Sequence, residues 1–106
     1  MMAPQDFLHG QCHALAYAMR LKYGYTLYAV YDEEEYVDHF VVRNEIGEVF
    51  DGGGWFDQDS FYDRPEMGWA HGMYAVDLLE FLTITSNPNW EEMKLAEAVK
   101  YVNTYA

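Results

Sequence analysis

The sequence predicts an α+β fold, with an N-terminal helix packed on a small antiparallel sheet and a C-terminal helix closing the far side. Three observations predict it. Cys12, Leu15, Ala16, Met19 and Tyr23 recur at helical spacing near the start of the chain. The segments between Tyr25 and Asp51 are rich in β-branched and aromatic residues and are broken by charged and glycine turns. Trp90, Leu95, Ala98, Val99 and Val102 then return to helical spacing. With 106 residues, 51% of them hydrophobic, the chain can build one core but not two, so a single domain over residues 1–106 is expected.

Residues Met1 to Gln5 read as a short arm. The first helix runs from Cys12 to about Lys22, with Arg20 and Lys22 near the end where cations suit the helix dipole, and Gly24 stops it. Tyr25 to Tyr31 suits a strand, and the four carboxylates Asp32 to Glu35 read as a solvated connection. Tyr36 to Arg43 and Glu48 to Asp51 flank a three-residue loop, Glu45-Ile46-Gly47, in which Gly47 supplies the left-handed residue of a β-hairpin. In that register Asn44 pairs with Glu48 and Val41 with Asp51, which puts His39 and Asp51 diagonally on one face of the sheet. A two-residue loop would send one of them to the other face.

Gly52-Gly53-Gly54 ends the hairpin, and an irregular stretch follows Trp55-Phe56 through Asp57 to Trp69, with a helical turn at Phe61 to Arg64 stopped before Pro65. The three glycines are a flexible turn or a place of close backbone approach, and they lack the lysine of a phosphate loop. Gly72 to Val76 reads as a strand. Leu78 to Leu82 is too short for periodicity to separate helix from strand. The last helix is expected from about Asn89 to Tyr105, with Asn89 and Glu92 as a capping box.

Composition excludes several functions. A formal net charge of -12 repels phosphate backbones and anionic membranes, so neither nucleic acid nor membrane is an expected partner, whereas a basic protein is admissible. No run approaches the roughly 18 apolar residues that read as a membrane span, and the N-terminus carries no signal-peptide pattern, so a cytoplasmic protein is expected. One cysteine cannot form an intrachain disulfide.

That cysteine sits where the first helix begins, and a thiol at a helix N-terminus is biased towards thiolate. A cysteine nucleophile also needs a base and a group that orients the base. His13 is adjacent, but neighbouring residues on a helix point about 100 degrees apart. His39 and Asp51, on neighbouring strands with matching parity, fit those roles better. If their face of the sheet also meets the Cys12 helix, the triad closes.

Gly10-Gln11-Cys12-His13-Ala14-Leu15-Ala16, Asp38-His39-Phe40-Val41-Val42 and Val49-Phe50-Asp51-Gly52-Gly53 together resemble the core of papain-like cysteine proteins in the broad sense, including NlpC/P60-like and transglutaminase-like members. The resemblance covers about the first half of the chain. It implies a papain-like core and a cysteine-dependent hydrolase or acyltransferase acting on an amide or related acyl bond of a peptide, protein or other substrate. Cys12 would be the nucleophile, His39 the acid and base, and Asp51 its orienter, with Gln11, His13, Gly52 and Trp55 as substrate contacts and no cofactor. Gln5 and Gln11 do not fall at the position of a papain-type oxyanion glutamine, so the Cys12 backbone N–H is the expected oxyanion donor. His9, Cys12, His13 and His39 are zinc-capable residue types, but the His9-x-x-Cys12-His13 spacing is not a recognised zinc pairing. The rival reading is an acidic binding or inhibitor protein, a mimic of nucleic acid, that has the fold without the chemistry.

Overall fold

A computed structural model describes Phe7 and residues 10–106, and the arm expected at Met1 to Gln5 lies outside them. The first helix, α1, spans Cys12–Tyr23 and ends at Gly24, whose left-handed φ of 73° lets its N–H close on the Arg20 carbonyl. Strands β1 (Thr26–Tyr31), β2 (Val37–Arg43), β3 (Val49–Asp51), β4 (Gly54–Phe56) and β5 (Gly72–Val76) form one antiparallel sheet in the order β4-β3-β2-β1-β5. Gly47 adopts a φ of 86° in the hairpin loop, and Val42 pairs with Phe50 and Arg43 with Val49. This is the register a three-residue loop requires, and it extends to the Asn44–Glu48 hydrogen bond of 3.1 Å.

Strand alternation divides the core in two. Leu27, Ala29, Phe40, Val42 and Phe50 point towards α1, where they meet Ala14, Leu15, Ala18 and Met19, and towards Ala98 and Val102 of the last helix, which therefore packs on the same face as α1 and not on the far side as expected. Val30, Val41 and Val49 point the other way, onto Phe61 and Met67. Those two residues belong to helix α2 (Gln58–Asp63) and a 3₁₀ turn at Pro65–Met67. The stretch expected to be irregular is therefore a short layer of its own. Asp57 starts α2 by accepting the Ser60 N–H, and Arg64 is held extended before Pro65. β4 is a strand of three residues, too short to leave a pattern in the sequence.

Leu78–Thr85 resolves as helix α3, because Asp77 caps it by accepting the Glu80 N–H at 2.7 Å. The last helix, α4, is Leu95–Tyr105, which corrects the expected start near Asn89. The reason is a tertiary bond that outcompetes the local signal. Gln11, buried just before α1, accepts the Lys94 backbone N–H through Oε1 at 2.9 Å and donates from Nε2 to the Glu92 carbonyl at 3.0 Å. His13 adds a bond to the Glu91 carbonyl at 2.8 Å, so residues 91–94 are tied to α1 instead of coiling. Gln11→Ala removes both bonds from part-buried backbone groups and should cost about 1–3 kcal/mol in urea unfolding. A cost below about 0.5 kcal/mol would mean that the segment is held by other contacts. No helix among the described residues is long and apolar enough to cross a membrane.

Candidate active site

The three residues singled out from the sequence come together, by a route the strand parity alone does not give. His39 pairs with Val30 across β1 and β2, and its ring stacks over Phe61 at 6.3 Å, so it lies on the α2 face of the sheet. Asp51 is on the same face and receives His39 Nε2 at 3.0 Å, with both side chains almost wholly buried. The body of α1 packs on the opposite face, so the condition that the face of His39 and Asp51 also meet the Cys12 helix is not fulfilled. Instead β3 stops at Asp51 and leaves the neighbouring edge of β2 open near Phe40. The N-terminal end of α1 reaches this edge, where the Phe40 backbone N–H lies close enough to the Cys12 sulfur to favour its thiolate.

The electrostatics follow from this burial. Loss of solvation pushes the Cys12 thiol up, but the His39 charge, side-chain contacts with His13 and His39 and the Phe40 N–H oppose it, and the net value falls from 9.0 to about 6. For His39 burial works downward, and it is outweighed by the Cys12 charge and by the Asp51 carboxylate, so the imidazole is raised to about 9. Between those limits the favoured state is a thiolate beside an imidazolium. With Nε2 committed to Asp51, Nδ1 is the ring nitrogen left for the sulfur.

A fourth residue completes the site, and the sequence reading missed it. Arg64, the residue that ends α2, places Nη1 2.9 and 3.0 Å from the two oxygens of Asp51. Its guanidinium lies over the rings of Phe56 and Phe61 at 4.5 and 5.4 Å, and its Nε bonds Glu66 at 3.0 Å. Burial raises the Asp51 carboxyl, but His39, Arg64 and the Gly53 N–H together hold it below the usual range. Glycine at position 53 leaves the guanidinium room, since a Cβ there would stand 3.1 Å from Arg64 Nη2. A signal for Arg64 did exist. The chain has six cations, and four of them sit on or beside the first and last helices, so a buried Asp51 could draw only on Arg43 or Arg64.

A cavity of about 580 Å³ opens onto Cys12. One wall is the connection around Asp32 and the start of β2, and the other is the segment from the end of α3 to Glu91. The four expected substrate contacts do not line it. Gln11 and His13 are buried in the bonds to residues 91–94, with His13 also packed on Trp90 at 5.3 Å. Gly52 is buried behind Asp51, and Trp55 packs on Phe50 and Tyr25 at the far strand of the sheet. His9 and Gln5 lie outside the described residues. Among the described residues no group of three or more His, Cys, Asp or Glu side chains is arranged to hold a metal.

The chain matches no protein-family model, no curated protein and no solved structure.

Proposed function

We propose that this chain is a small cysteine-dependent hydrolase or acyltransferase of papain-like type, acting on an amide or related acyl bond through Cys12, His39 and Asp51. The observation that carries the reading is the buried sulfur, lowered to about 6, facing a cavity on one side and an imidazole fixed by a carboxylate on the other. A structural cysteine in an apolar core has no such partner and stays a thiol.

In the reaction the Cys12 thiolate attacks the acyl carbon. The C–S bond forms as the carbonyl π pair moves to oxygen, and the first-turn N–H of Cys12 faces the oxyanion, because no side chain caps α1. The carbonyl reforms as the C–N bond breaks, and the His39 imidazolium gives its proton to the departing amine. His39, now neutral, takes a proton from water as the hydroxide adds to the thioester. Collapse expels the thiolate and releases the acid, which restores the starting pair. An amine in place of water gives acyl transfer by the same steps.

Labelling with iodoacetamide, followed by mass spectrometry across pH, tests the nucleophile. The rate should rise with a midpoint near 6 and be level by pH 8. A midpoint at the ordinary thiol value of 9.0, or within about half a unit of it, would remove the basis of the proposal.

A further inference from the structure

The cavity in front of Cys12 has a chemical character of its own. Among the described residues, Asp32, Asp38 and Glu91 contribute to its lining, no lysine or arginine does, and Trp90 and Tyr36 supply aromatic surface. These groups are placed by the fold. The β1–β2 pairing shifts between Val30 and Tyr31, so that Asp38 is the extra residue of a bulge directly before His39. Asp32 Oδ1 accepts the N–H groups of Glu34 and Tyr36 at 2.9 and 3.0 Å, which pins the connection next to it. Burial and the neighbouring Asp32 charge hold the Asp38 carboxyl above its ordinary value, as expected where two carboxylates meet without a cation between them. On the other wall the Glu91 carboxylate lies over the α-carbon of Gly10, where a Cβ would collide with it, so only glycine leaves it that place beside Cys12.

Carboxylates on two walls, joined by aromatic surface and facing a nucleophile, match an organic cation. Resting on the acyl-transfer reading above, we infer that the substrate is an amide of a basic amino acid, whose lysine ammonium or arginine guanidinium enters the cavity between Asp38 and Glu91 while its carbonyl meets Cys12. The thiolate and imidazolium cancel each other's charge at neutral pH, so the carboxylates decide the sign of the field that a substrate meets there. The net charge of -12 draws the same class of substrate to the protein from a distance.

Thiol reagents of different charge test this without knowledge of the scissile bond. The rates of Cys12 modification by trimethylammonioethyl methanethiosulfonate (cationic) and sulfonatoethyl methanethiosulfonate (anionic) are compared, each divided by its rate with glutathione. Cys12 displaces methanesulfinate from either reagent and forms a mixed disulfide, so chemistry is constant and only charge varies. The cation should be favoured by about 30-fold or more at low salt, and Asp38→Asn and Asp32→Asn should each reduce the ratio about 3- to 10-fold. The amide introduced by Asp32→Asn keeps an oxygen that can accept the two loop N–H groups. Glu97→Gln, at an exposed position of α4 outside the cavity lining, makes the same change in net charge and should leave the ratio within about 1.5-fold. A ratio near one overturns the inference, as does an equal fall in Glu97→Gln. If the rate with neutral iodoacetamide shows the midpoint near 6 in the same protein, that failure leaves the acyl-transfer reading standing. If it does not, both fall.

Discussion

His39→Ala should move the midpoint of Cys12 alkylation from about 6 to the ordinary thiol value of 9.0 or higher. The direction follows from the balance of forces at the sulfur. Burial disfavours the thiolate and is the largest influence on it, so removing the imidazolium leaves a desolvated thiol with only hydrogen bonds to set against that cost. At pH 6 the thiolate fraction would fall from one half to about one in a thousand. Observed rates fall less, because a more basic thiolate is a better nucleophile. With a Brønsted coefficient of about 0.45, three pH units return about 20-fold, so alkylation at pH 6 should drop about 25-fold. Turnover of an amide should fall further, by about 10³-fold or more, because His39 also supplies the proton to the leaving amine. A midpoint that stays within about half a unit of the wild type would show that His39 does not set the state of Cys12.

The same pair predicts little pH dependence of folding in the middle range. Between about 6.5 and 9 the folded chain holds thiolate and imidazolium while the unfolded chain holds thiol and neutral imidazole. Both states then bind one proton, so the slope contributed by the pair is zero. Asp51 behaves differently. Its folded value lies below 3.8, so its contribution is complete above that pH and is lost as pH falls through the lowered value.

What was legible in the sequence is what local geometry decides. Gly24 and the Glu45-Ile46-Gly47 loop act within a few residues, and the loop fixes the parity that places His39 and Asp51 on one face. Three features were not legible, each because a distant part of the chain decides it. The face on which α1 packs depends on the whole sheet, and β3 had to end early for the thiol to reach His39 at a strand edge. The start of α4 reads as a cap at Asn89 in isolation, but Gln11, 83 positions before Lys94, holds the segment open. Arg64 carries no motif, and its role exists only because the chain, leaving α2, turns the residue after it back onto Asp51. The cavity walls follow the same rule, for neither the bulge at Asp38 nor the placement of Glu91 on Gly10 is written in a local pattern.

The Asp51–Arg64 contact should show the strongest non-additivity in the molecule. Asp51→Ala leaves the Nη1 end of the buried Arg64 guanidinium without its carboxylate, with only the half-exposed Glu66 still bonded at Nε, and takes the hydrogen-bond acceptor from His39, so a loss of about 2–4 kcal/mol in urea unfolding is expected. Arg64→Met fills similar space between Phe56 and Phe61 and leaves Asp51 bonded to His39 and to the Gly53 N–H, so it should cost only about 1–2 kcal/mol. The double variant has no stranded guanidinium and should be more stable than Asp51→Ala alone by about 1–2 kcal/mol, although it carries one more substitution. Titration separates the two roles of Arg64. Its charge draws on the same carboxylate that stabilises the His39 imidazolium, so Arg64→Met should raise the His39 value, read by NMR of the ring protons, whereas Asp51→Ala should lower it. If the double variant proved the sum of the two single ones, Arg64 would be a packing residue over two aromatic rings, and the line of charges from Cys12 would end at Asp51.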